Sequence, residues 1–187
     1  MSDYRQLYWR ALDRFGEHVH SIRDDQWGRP TPCTEWDVRA LVQHLVYETM
    51  WMPPLLNGRT IADVGDSLTG DLLGDDPIGA WDRSAKESAE AVGSTPPDSI
   101  VHISRGDVTA VLYTNEVFTD LVIHGWDLAR AIGADETLDI ESVDLLYGIT
   151  KPIEAGLKAS GAFGPQVVPP PGASRQTELL AIFGRVS

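Results

Sequence analysis

Apolar residues recur at three- and four-residue steps along four separate stretches of this chain. A chain with that period folds as helices that each bury one face. In residues 3–23 the stripe is Leu7, Ala11, Leu12, Phe15, Val19 and Ile22. A second stretch carries Val38, Leu41, Val42, Leu45, Val46 and Thr49. Thr34 is a good N-cap for it, Asp37 three residues on makes an approximate capping box, and Pro53-Pro54 ends or kinks it. The spacing predicts a third helix over 77–92, with Pro77 near its first turn. A fourth spans 110–132 and stops at Gly133, a normal position for a C′ glycine.

The stretches between are less regular. Residues 57–76 are rich in Gly and Asp and read as a long connection, and Pro96-Pro97 breaks the chain again. Ile100, His102 and Ser104 alternate with Val101 and Ile103; with a turn at Gly106-Asp107 and a return over Val108 to Val111 they make a short hairpin. A weaker helix runs from after Asp139 to about Ala159, with a kink at Pro152. Residues 161–187 hold Pro169-Pro170-Pro171 and a short apolar turn, Leu179 to Phe183. They read as an extended tail packing on the bundle, not as a second domain. The expectation is an all-α fold in a single domain, residues 1–187: a four-helix bundle with long connections, a short β-hairpin and an extended C-terminal tail.

Charge and cysteine usage narrow the function. Fifteen basic against twenty-eight acidic residues leave a net charge of −13, which repels phosphate backbones and anionic lipid. Nucleic acid and membrane are therefore not expected partners. No apolar run approaches the ~20 residues that span a bilayer, and the start of the chain is no signal peptide, so the cytoplasm is the expected compartment. Cys33 is the only cysteine; any metal must be held by nitrogen and oxygen. Cys33 precedes a helix start, where a thiol pKa can fall, but with no basic neighbour it reads as a packed, inert thiol.

The chemistry concentrates in Asp120-Leu121-Val122-Ile123-His124. A spacing of four puts the Asp120 carboxylate and His124 imidazole one turn apart on one helix face. Such a pair is often only a surface hydrogen bond, but it is also how one helix offers two ligands to a divalent metal. The core stripe Tyr113, Val117, Leu121, Leu128 and Ala131 borders this face, so the pair looks into the bundle. His44, beside Leu41 and Leu45, is a third candidate, and two histidines with one carboxylate leave an open position as catalytic sites do. Glu116, a further turn back, reads as a partner that orients a ligand, against a fourth ligand or a general base. His102 sits in the hairpin, and His18 and His20 face opposite sides of the first helix; none is assigned a role. Trp27, Trp36, Trp51, Trp81 and Trp126 suit core packing, with Trp36 and Trp126 also placed to line a pocket. No phosphate loop, nucleophile elbow or dinucleotide fingerprint is present.

These motifs resemble a known family. The segment from Pro32-Cys33-Thr34-Glu35-Trp36-Asp37 to Gln43-His44-Leu45 is similar to the first ligand segment of the mycothiol-dependent maleylpyruvate isomerase-like proteins, in the DinB/YfiT-like superfamily. Asp120 to Gly133, with His124-Gly125-Trp126-Asp127, resembles the second ligand helix. The tail, from Phe163-Gly164-Pro165 through Leu179 to Arg185, resembles the end of a short actinobacterial subfamily of metal-binding proteins. The resemblance covers essentially the whole chain. It implies a four-helix bundle holding one divalent ion, zinc or nickel, on His44, Asp120 and His124. The isomerases have Glu where this chain has Asp120, one methylene shorter, which implies a tighter ligand sphere or a water. They also carry an additional C-terminal domain that this chain is expected to lack. The function implied is a thiol-dependent, mycothiol-type transferase or isomerase acting on a small-molecule thiol and a substrate. The alternative is a non-catalytic, metal-stabilised bundle that binds a small molecule or forms a homodimer through a helix face.

Overall fold

The computed structural model describes residues 3–160 and 167–187. In chain order the elements are α1 (Tyr4–His20), α2 (Val38–Leu56), α3 (Ile61–Val64), α4 (Pro77–Ser94), β1 (Ile100–Ile103), β2 (Gly106–Thr109), α5 (Ala110–Ile132), α6 (Ile140–Thr150), α7 (Glu154–Ser160) and α8 (Arg175–Ile182). They cluster into two compact units, residues 1–134 and 135–187.

In the first unit α1 packs on α4 and α5, and α2 packs on the same two, closing a four-helix ring. Its interior takes Phe15 of α1, Leu41 and Leu45 of α2 and Leu121 of α5 from the predicted stripes, and adds Tyr8 of α1, Trp81 of α4 and Phe118 of α5, all buried. Phe15 and Trp81 meet with ring centroids 4.6 Å apart. Polar ties close the ends. The Arg5 guanidinium donates to the Val92 and Thr95 carbonyls at 3.1 and 2.8 Å, joining the start of α1 to the end of α4. Buried Gln26 donates to the Ile132 carbonyl at 2.8 Å.

Helix boundaries differ from expectation where two capping residues compete. Asp37, not Thr34, caps α2, its carboxylate accepting from the Ala40 N–H at 2.8 Å. Thr34 belongs to a turn in which the Trp36 N–H donates to the Cys33 carbonyl at 2.8 Å. Pro53 and Pro54 lie inside the last turn of α2, which runs on to Leu56. The hairpin pairs Ile100 with Thr109, Val101 with Val108, His102 with Asp107 and Ile103 with Gly106. Its turn therefore falls at Ser104-Arg105, not at Gly106-Asp107. Thr109 closes the hairpin and caps α5, its hydroxyl accepting from the Leu112 N–H at 3.4 Å, so Val111 is already helical. Gly133 ends α5 at φ +74°, the left-handed conformation a C′ residue needs.

In the second unit α6 begins at an Asp139 cap, and Pro152 sits in a 3₁₀ turn separating α6 from α7. The tail is more regular than a bare apolar turn, since α8 packs on α6. Gln176 pins it, accepting from the Leu138 N–H at 3.0 Å and donating to the Glu136 carbonyl at 2.9 Å. The Phe163-Gly164-Pro165 part of the tail motif lies outside the described residues. No described helix is long and apolar enough to cross a membrane.

Candidate functional site

The face of α2 that carries His44 meets the face of α5 that carries Asp120 and His124. His44 Nε2 stands 3.6 Å from Asp120 Oδ2, and the His44 and His124 rings are edge-on with centroids 5.2 Å apart. Leu41, Leu45, Leu121 and Leu128 around them are buried. His124 is only 8% exposed, while His44 and Asp120 are half-buried. Trp36 lies over both imidazoles, 4.6 Å from His44 and 5.4 Å from His124 by ring centroid. The turn that displaces Thr34 from the cap is what places this indole: the Trp36 carbonyl accepts from both the N–H and the hydroxyl of Thr31, at 3.2 and 2.9 Å.

Two residues without a role in the sequence reading complete the setting. Asp127 is fully buried, and its Oδ2 lies 3.0 Å from His124 Nδ1. With a carboxylate accepting from Nδ1–H, the imidazole is held in the tautomer whose free lone pair is on Nε2. Its i+3 spacing from His124 was the available signal. Glu48 follows His44 by four residues, mirroring the Asp120–His124 pair on the facing helix. Burial pushes its carboxyl up to about 7; Asp120 adds to the rise, His44 partly offsets it, and Glu116 adds again. Tyr113 is raised above the usual phenol range, first by burial and then by Glu48. Glu116 itself is paired with Arg105 of the hairpin turn.

The other candidates lie elsewhere. Trp126 is buried with the Arg130 guanidinium 4.2 Å from its ring centroid, and it does not line the cavity beside His44. Two residues on from His124, it sits on another side of α5, so Trp36 and Trp126 are not brought together at the site. His102 pairs with Asp107 at 2.7 Å across the hairpin, and His20 pairs with Asp82 at 2.8 Å. Cys33 is half-buried in its turn.

A cavity of about 360 Å³ opens beside His44, between Trp36 and Tyr47 on one side and Leu68 and Leu72 of the α3–α4 connection on the other. That connection is held down by Arg39, whose guanidinium donates to both Asp71 oxygens at 3.1 and 3.0 Å and to the Gly74 carbonyl at 2.9 Å.

Among the described residues, no three His, Cys, Asp or Glu side chains stand as a ready-made metal-ligating group. The pairwise spacings nonetheless suit one. Two donors sharing a tetrahedral ion at bonds of ~2.1 Å stand roughly 3.4 Å apart, and two imidazoles bound through nitrogen have centroids about 5 Å apart. The observed 3.6 and 5.2 Å match both. The nitrogen and oxygen donors of His44, Asp120 and His124 are of the kind a divalent ion takes.

A ring of four packed helices with one two-stranded hairpin makes this an all-α protein of the DinB-like fold. The chain belongs to the family described as the mycothiol maleylpyruvate isomerase N-terminal domain, whose model matches residues 8–129. Two relatives are uncharacterized proteins of Mycobacterium tuberculosis: MT0763 of strain CDC 1551 / Oshkosh and Rv0738 of strain ATCC 25618 / H37Rv. Each is 30% identical over 141 residues, covering 74% of this chain and 72% of the relative. Among solved structures, a mutant of mycothiol-dependent maleylpyruvate isomerase superposes with a TM-score of 0.61 at 14% identity, covering 86% of this chain and 72% of that one. At that identity the likeness speaks to the fold.

Proposed function

We propose that this chain is a thiol-dependent transferase or isomerase of the mycothiol type, with His44, Asp120 and His124 holding a divalent zinc or nickel ion. The carrying observation is the convergence of the three side chains from two facing helices, with Asp127 already orienting His124. When bound, the ion supplies Lewis-acid chemistry, lowering the pKa of a coordinated thiol so that thiolate exists at neutral pH. The protein's own contributions are positional. Asp127 keeps His124 Nε2 free to ligate, Trp36 shields both imidazoles from water on one side, and the cavity beside His44 admits a small molecule. A cation at the site would relieve the repulsion from Asp120 that, after burial, helps push the Glu48 carboxyl up to about 7. The family's description, mycothiol maleylpyruvate isomerase, supports mycothiol as the thiol.

Elemental analysis of the purified protein tests the metal. Stoichiometric zinc or nickel in the parent, and its loss in the His44→Ala, His124→Ala double variant with helicity retained, is the expected result. Equal metal content in the two proteins would remove the basis of the proposal. Turnover is then sought by supplying mycothiol with candidate substrates.

A further inference from the structure

We infer that the outer groove between α1 and α4 is a docking site for a basic amphipathic helix of a partner protein. The groove has a volume of about 990 Å³ and is lined from Trp9 to His20 on α1 and from Trp81 to Gly93 on α4. At about 1.5 Å per residue it is a trough roughly 16–18 Å long, the length of a helix of about three turns. Its floor is made of small residues at helical steps. Ala85, Ala89 and Gly93 succeed one another every four residues on α4, and Gly16 lines the trough from α1. Small side chains there let a third helix come close.

The floor also holds an unmet donor. Trp81 is 2% exposed, yet among the described residues its N–H has no hydrogen-bond acceptor. Of the indole atoms, Nε1 is nearest, at 3.0 Å, to where a Cβ on Gly16 would stand. Without a side chain at Gly16 the N–H opens toward the trough. A buried indole N–H usually has a partner, and a Ser, Thr or Gln oxygen on the buried stripe of an incoming helix supplies one.

Both rims are acidic, with Asp13 and Glu17 on α1 and Asp82 and Glu90 on α4. Glu17 is paired with Arg14 and Asp82 with His20. Asp13 and Glu90 have no ion-pair partner among the described residues, and both flank the Trp9 end. Asp13 lies one turn beyond Trp9, and Glu90 follows Ala89, whose carbonyl accepts from the Trp9 N–H at 3.3 Å. Trp9 remains 37% exposed there. An indole between two unpaired carboxylates seats a Lys or Arg side chain through cation–π attraction and ion pairing. Arg5, one turn before Trp9, is held by the Val92 and Thr95 carbonyls, and Lys86 in the lining can balance only one of the two acids. A second copy is the poorer occupant, because it would set these acids against their own kind between chains of net charge −13.

Three synthetic peptides of about 16 residues test this, each titrated into the full chain by fluorescence anisotropy. One carries Ala, Leu and Ser on one helical face and Lys on the other; the second is a scramble of the same composition; the third has Glu for every Lys. Saturable binding of the first, and binding of the other two at least about tenfold weaker, is the expected result. Ala85→Arg, which puts bulk and charge on the floor, and Glu90→Lys should each weaken the first peptide about tenfold, and Trp9→Ala severalfold. Asp66→Lys changes the net charge as Glu90→Lys does but lies outside the trough, and should leave binding unchanged. Circular dichroism checks that every variant keeps its helices. No binding of the first peptide, equal binding of the scramble, or equal losses from Asp66→Lys and Glu90→Lys overturns the inference. So does a dimer in sedimentation that Ala85→Arg dissociates, which would assign the groove to a second copy.

Discussion

His124 shows how much one side chain's role depends on its neighbours. Its spacing from Asp120 nominates the pair, but it is Asp127, three residues on and fully buried, that sets which ring nitrogen is free. If His124 ligates a divalent ion as proposed, Asp127→Asn should keep the fold and lower the affinity for that ion about 10- to 100-fold, as loss of a ligand-orienting carboxylate does; chelator competition on the purified protein measures it. Glu48 makes a pH-dependent prediction for the metal-free protein. Its carboxyl rises from 4.5 to about 7 on folding, so the folded state binds the extra proton between those values. Stability is therefore fully present below pH 4.5 and falls as pH rises toward 7. Glu48→Gln should remove that slope, leaving the variant more stable than the parent at pH 8 relative to their difference at pH 5, by urea denaturation. An unchanged difference at the two pH values would show that Glu48 does not carry the proton.

At the scale of elements, the apolar period placed the four long helices within a few residues, and α5 at its observed ends, Ala110–Ile132. The start of α2 was not legible, because Thr34 and Asp37 are both good N-cap residues. The choice falls to Asp37 because Thr31, Cys33 and Trp36 form a hydrogen-bonded turn that uses up the intervening backbone. Asp37→Ala should cost about 1 kcal/mol, and Thr34→Ala much less. A larger loss from Thr34→Ala would mean the helix starts earlier in solution. Gly133, at φ +74°, is a similar local case: Gly133→Ala should destabilise by roughly 1 kcal/mol through a strained left-handed residue. The hairpin was legible as two alternating runs, but its turn was not. Pairing Val101 with Val108 requires the chain to reverse at Ser104-Arg105, a register that depends on contacts β1 makes with α2 and α5.

At the scale of the molecule, the first unit is held by a ring of apolar faces rather than by its site. Phe15 sits against Trp81 and within 3.8 Å of where a Cβ on Gly125 would lie. Phe15→Ala should therefore cost about 3–5 kcal/mol, read as a drop in thermal midpoint; a loss below 1 kcal/mol would show that the bundle repacks freely. The amino-acid sequence by itself determined the helical class, the four amphipathic segments and the Asp120–His124 pair, because these follow from local periods of three to four residues. The tertiary structure decided which pieces meet. His44 faces Asp120 because α2 and α5 are neighbours in the ring, and Trp36 rather than Trp126 covers the imidazoles because a turn aims it there. Glu48 matters because a surface-like helical position is enclosed by the facing helix. Those are contacts between residues some eighty apart in sequence, and no local period can encode them.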